Sequence, residues 1–173
     1  MPRPAWPAWI AALGVSGLAL GATPAIAADF AHVRSDDASI GALLRSGYER
    51  SPTFRAVVDD VESRPGIVYI EQAVKLSRAM DGALLHTIAG SREMPLLRVL
   101  LKTNLAPDYA IAVLAHELQH VVEVLRAGPP KDAAAMARLF GALDHQTADS
   151  KFETEDARAI TSRVLTELRA NRK

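Results

Sequence analysis

Residues 96–126 read LLRVLLKTNLAPDYAIAVLAHELQHVVEVLR, and the period of the apolar side chains changes inside them. Leu96 to Leu101 is a short apolar run interrupted by Arg98, which fits a strand. Pro107-Asp108 then opens a helical segment that reaches about Arg126 and closes at Gly128-Pro129-Pro130. Upstream, Gly90 to Pro95 is a polar turn region, and Ala83 to Ile88 reads as a strand joined to Leu96–Leu101 as a hairpin. Ile67-Val68-Tyr69-Ile70, β-branched and aromatic, reads as a third strand. Before it, Ser39 to Tyr48 has Ile40, Leu43 and Leu44 at helical spacing. Ser51-Pro52 starts a second helix carrying Phe54, Val57, Val58 and Val61 on one face and ending before Pro65-Gly66. Downstream, helices fit Asp132 to Leu143 and about Glu153 to Ala170, with a polar loop from His145 to Lys151 between them. Helices, a small and mostly antiparallel sheet, then helices again make an α+β chain.

The chain of 173 residues fits one domain, and its 49% apolar content is enough for a packed core. Twenty basic residues balance twenty acidic ones, giving no support to nucleic-acid binding. There are no cysteines, so any metal must be held by His, Asp, Glu or water. The first residues form a separate unit. Arg3 precedes an apolar run from Ile10 to about Ala22. Pro24 and the small-x-small triplet Ala25-Ile26-Ala27 follow, as at a leader-peptide cleavage site. Residues 1–27 are therefore expected to be a signal peptide, with the mature domain at 28–173, exported to the periplasm or the exterior. The run is too short for a membrane span, so no stable insertion is expected after cleavage. The alternative is an uncleaved N-terminal anchor.

Within the long helical segment lies His116-Glu117-Leu118-Gln119-His120. Residues four apart on a helix stand about 40° apart and one turn along, so two imidazoles converge on one ion. The Glu after the first His lies about 100° further round. It reaches a metal-bound water as general base without binding the metal itself. Five His among 173 residues make a chance occurrence of this pattern rare, on the order of one in a hundred. Zn2+ is the expected cofactor, with His116 and His120 as ligands and Glu117 as the catalytic base. The alternative is two ordinary helix-surface histidines.

A catalytic zinc keeps three protein ligands and an open position. A metzincin would need Gly at position 123 and His at 126. Glu123 and Arg126 stand there instead, so a carboxylate from a later helix is the remaining option. Glu153 aligns with the apolar stripe Ala157, Ile160, Val164 and Leu168, whereas Glu155 points away from it. A carboxylate at the head of a core-facing stripe needs compensation, which a metal supplies. The alternative is a first-turn acid favoured by the helix dipole. Glu123, one turn past His120, is a ligand, an orienter of His120 or a solvated acid.

These residues resemble the gluzincin-type zinc metallopeptidases, in which a His-Glu-x-x-His helix is followed by a glutamate ligand on a later helix. The resemblance runs from Leu96 to Leu168, with its one strong motif at Ala115 to His120, and the short chain is similar to minimal members of the group. It implies His116, His120 and Glu153 as metal ligands, Glu117 as general base, a zincin-like fold and a peptide or protein substrate. Many members carry Asp four residues after the ligand glutamate; Ala157 is there in this chain, with Asp156 one position earlier. The resemblance also implies a substrate lying extended beside a sheet edge. Leu96–Leu101, bearing Arg98 and Lys102, is the natural candidate for that edge; the alternative is an interior strand.

His32, His86 and His145 are lone histidines; for His86, in an expected strand, a hydrogen-bonded structural role is the default. His145, Tyr109 and Arg158 are the candidates for stabilising a developing oxyanion. The rival functional reading is a non-catalytic exported module that retains zinc or binds a partner, marked by a fourth protein ligand such as His145 or Glu123.

Overall fold

The computed structural model describes residues 30–78, 80–85, 89–130, 132–143 and 153–171. The expected leader at 1–27, His86 and His145 lie outside them. After a two-residue first strand come two short helices: α1 (Ala38–Arg50) and α2 (Pro52–Glu62). Asp37 caps α1 through the Ser39 N–H, and Ser51 caps α2 through the Phe54 N–H with Pro52 in the first turn. Both caps satisfy amides that the helix itself leaves unpaired. The strands are β1 (Val33–Arg34), β2 (Ile67–Ala73), β3 (Gly82–Leu84), β4 (Ala89–Gly90) and β5 (Pro95–Lys102). Three further helices follow: α3 (Pro107–Ala127), α4 (Ala133–Leu143) and α5 (Glu155–Ala170). The fold is α+β.

The sheet is mixed, which corrects the expectation of a mostly antiparallel one. β1 pairs parallel with β2, and β2 pairs parallel with β5 over the full register Ile67↔Leu96 to Ala73↔Lys102. Only the short β3 and β4 run antiparallel, both against β5. The physical reason is connectivity. The α1–α2 pair is a crossover that returns the chain to β2 in the same direction as β1. The chain leaving β2 passes beyond the place where β5 will lie and comes back along its far side as β3 and β4. β5 is thus an interior strand between β2 and β3, and it is not the free edge expected from its charges. The edge is β3.

Burial alternates along β5. Leu97, Val99 and Leu101 are buried while Arg98 is exposed. Val68 and Ile70 of β2 join the same buried face. On the opposite face Arg98 makes a two-pronged ion pair with Glu71. The core between the buried face and the helices holds Phe54, Val58, Leu114, Leu118, Val164 and Leu168, among others.

α3 is the central element. Its buried positions run round almost the whole helix, including Ile111, Leu114, Leu118, Val121 and Val124 together with Glu117, Gln119 and His120. A helix apolar on all sides belongs in the interior. It packs against α1, α2, α5, β3 and β5. Gly128 ends it at a φ of 82°, where a side chain would be strained.

Candidate metal centre

Helical spacing brings the two imidazoles of α3 together. His116 Nε2 and His120 Nε2 are 3.1 Å apart, with the rings nearly perpendicular at 84°. The Nδ1 atoms face the other way, and each has its own partner. His120 Nδ1 is 2.9 Å from Glu123 Oε2. His116 Nδ1 is 3.1 Å from Thr161 Oγ1, and the imidazole also bonds the Ala157 carbonyl. The Thr161 hydroxyl gives its own proton to the Ala157 carbonyl at 2.9 Å, so towards His116 it can only accept. Both partners therefore demand Nδ1–H, and a neutral imidazole then carries a bare lone pair on Nε2. Two bare lone pairs 3.1 Å apart repel each other unless a cation or a proton lies between them. A divalent metal relieves that repulsion, and the donors of a tetrahedral zinc stand about 3.3 Å apart by its bond lengths.

Glu153 lies just before α5, whose first residue is Glu155 and whose N-cap is Thr154. Its Oε2 is 3.9 Å from His116 Nε2, and its side chain is 31% exposed. Glu155, by contrast, is exposed. Ala157, Val164 and Leu168 of the expected stripe are buried, but the helix begins two residues later than expected, because Thr154 caps it, and Glu153 lies outside it. The third carboxylate thus stands beside the histidine pair without closing on it. Among the described residues no group of three His, Cys, Asp or Glu forms a finished ligand set. The donor types present, two imidazoles and a carboxylate, suit zinc.

Glu117 lies on the neighbouring stripe of α3 and faces β3. It is 7% exposed, and burial raises its carboxyl to about 7, against smaller opposing effects of His120 and a backbone hydrogen bond from Leu84. β3 leaves no spare room there. A methyl group on Gly82 would stand 2.7 Å from Glu117 Oε1 and 2.8 Å from Val113 Cγ1, so only glycine lets the strand approach this closely. Burial and the neighbouring His120 hold His116 below the usual imidazole range, against the pull of Glu153.

Glu123 is turned to Nδ1 of His120, away from the paired Nε2 atoms, and it accepts a second bond from Thr154 Oγ1 at 2.7 Å. Burial alone would raise its carboxyl; the hydrogen bonds from His120, Thr154 and Gln119 hold it low. Phe140 of α4 meets His120 edge to face at 5.2 Å and walls the ring on that side. Tyr109 is not at the centre: it lies about two turns earlier on α3 and donates to Asp81 at 2.9 Å. Arg158 is exposed on α5. His32 sits beside β1, where its backbone N–H bonds Glu62 and its carbonyl accepts from Val68.

Spacing alone did not point to Thr154, Thr161, Phe140, Gly82 or Leu84. Thr154, one residue before two acids, carried a readable N-cap signal. The others act through tertiary contacts that leave no local pattern.

Comparison of the chain with family models, with curated proteins and with solved structures finds no match.

Proposed function

We propose that this protein is a zinc-dependent hydrolase of zincin-like architecture, acting on peptide bonds. The observation that carries the reading is the histidine pair, two Nε2 lone pairs facing each other with both Nδ1 atoms already engaged. Bound there by His116, His120 and Glu153, zinc would supply a water acidic enough to ionise near neutrality. Glu117 would take that proton. It lies beside the pair rather than in it, and its carboxyl, at about 7, exchanges protons readily in neutral solution. Glu123 is committed to Nδ1 of His120, so among the described residues it is not the fourth ligand that would mark a purely structural site.

The adjacent edge suits an extended substrate. Asp81 and Leu85 direct their backbone towards β5, through Lys102 N to Asp81 O and Leu85 N to Arg98 O, both 2.9 Å. By strand alternation Gly82 and Leu84 direct theirs outward, where the Leu84 N–H already meets Glu117. A peptide pairing with that edge lies across the candidate metal position, held mainly by main-chain bonds. The leader-like first 27 residues support export. No helix among the described residues is long and apolar enough to cross a membrane.

The test is metal analysis and peptide hydrolysis with the mature chain. One zinc per chain is expected, lost in His116→Ala and His120→Ala and weakened more by Glu153→Ala than by Glu155→Ala. Glu117→Gln should keep zinc and lose hydrolysis by at least about 100-fold. A parent that binds zinc but cleaves no peptide in a proteome-derived library would favour the non-catalytic module instead.

A further inference from the structure

Beside a longer bond from Gln119, the carboxylate of Glu123 makes two close bonds with different consequences. Oε2 meets His120 Nδ1 at 2.9 Å, and Oε1 accepts from Thr154 Oγ1 at 2.7 Å. Thr154 is itself fully engaged, because its oxygen accepts from the Ala157 N–H at 3.2 Å as the N-cap of α5. It is also 4% exposed, so this linkage sits out of water. One residue earlier in the chain stands Glu153. A single carboxylate on α3 thus orients one imidazole of the pair and at the same time pins the residue that precedes α5, from which the third candidate ligand projects.

We infer that Glu123 and Thr154 are a positioning pair that sets the His120 tautomer and the placing of Glu153 together. The role towards metal rests on the zinc reading above; the role towards the tautomer does not. Two arrangements compete for the His120 proton. On Nδ1 it lies against a carboxylate, a charge-assisted and therefore strong bond. On Nε2 it lies against the neutral Nε2 of His116, 3.1 Å away. The first leaves the metal-facing nitrogen free, and the second blocks it. Glu123 selects the first. Thr154 holds Glu123 in the orientation that does so, and it needs a hydroxyl that donates and accepts at once. Serine has one; valine does not. Partners of this kind behind a ligating imidazole change metal affinity by about 10–100-fold.

The experiment reads two quantities on the full mature chain and its Glu123→Gln, Thr154→Val and Thr154→Ser variants. The first is the His120 tautomer of metal-free protein, from nitrogen-15 imidazole spectra in mildly alkaline solution. The second is zinc affinity by competition with a chromophoric chelator. The parent and Thr154→Ser should show the Nδ1–H form and share one affinity. Glu123→Gln, which preserves volume, and Thr154→Val should move His120 towards the Nε2–H form and weaken zinc by roughly 10–100-fold. His120 remaining Nδ1–H in both variants, or already Nε2–H in the parent, overturns the inference, as does unchanged zinc affinity. A parent that binds no zinc removes the hydrolase reading alone, because the tautomer comparison still decides what Glu123 and Thr154 do.

Discussion

Glu117 carries a stability signature that is separate from any catalysis. Its carboxyl is moved from an ordinary 4.5 to about 7 by burial, so the folded chain holds the proton more tightly than the unfolded chain does. The stabilisation is complete below about 4.5 and is lost as pH rises through about 7, where the folded state must carry a buried charge. Metal-free Glu117→Gln, neutral at every pH and still able to accept from Leu84, should therefore match the parent in acid. In mildly alkaline solution it should be more stable, by roughly 3 kcal/mol. Urea unfolding across that range checks it, and a gap that does not change with pH would show that the buried carboxyl is not what titrates. Gly82 gives a second prediction. Its missing side chain is what admits Glu117, with 2.7 Å between the built Cβ and Oε1. Gly82→Ala should keep zinc but lower kcat by roughly 10–100-fold, the cost of displacing a reacting group by about an ångström. Equal kcat in a folded variant would mean that Glu117 does not need its present seat. These two residues also show what the sequence could reveal. The position of Glu117 was legible because it follows from the local period of one helix. Gly82 was not, because the contact that requires a glycine joins positions thirty-five apart.

At the scale of elements, the two faces of β5 were legible and its neighbours were not. The alternation of Leu97, Val99 and Leu101 against Arg98 marked which side of β5 is buried, and the structure agrees. Side-chain alternation says nothing about which strand lies alongside, because that is settled by backbone hydrogen bonds and by the path of the connections. Hence β5 is enclosed by β2 and β3, and the available edge belongs to the three-residue β3. That edge makes a distinctive prediction for substrates. In an antiparallel ladder only every second residue turns its N–H and C=O to a given neighbour. N-methylating successive amides of a cleaved peptide should therefore lower kcat/KM at alternate positions, by about fivefold to tenfold for each bond lost, near 1 kcal/mol. The intervening positions should change little. A uniform response, or none, would place the substrate away from Gly82 and Leu84.

The whole molecule is organised so that two helices from different parts of the chain meet at one point. α3 supplies His116 and His120; α5 supplies Thr161 behind His116, Thr154 behind Glu123, and the approach to Glu153. At its far end α5 is anchored independently: the Arg50 guanidinium bonds both Asp108 and the Leu168 carbonyl, and Glu167 accepts from Ser51 and Thr53. The apolar stripe Ala157, Val164 and Leu168 was readable because a helix repeats its own geometry; Glu153 lies before the helix begins, so its place beside His116 does not follow from that period. The docking of that stripe on α3 was not readable, since it is a tertiary contact between helices separated in the chain by α4. A metal joining the two helices would then act as a staple between segments far apart in sequence. It binds only the folded arrangement, so it should stabilise by mass action, about 2.7 kcal/mol at a concentration one hundred times Kd. For a domain of this length that raises Tm by about 5–10 °C. Protection should be local as well as global. Amide exchange should slow most in the first two turns of α5 and around His116 to His120, where the staple sits. The Arg50–Leu168 end and the β2–β5 pair should respond only through global stability. His116→Ala should abolish both effects. A zinc-induced rise in Tm with protection spread evenly over the chain, or one that persists in His116→Ala, would mean that the metal binds elsewhere and that the meeting of α3 and α5 is a packing contact alone.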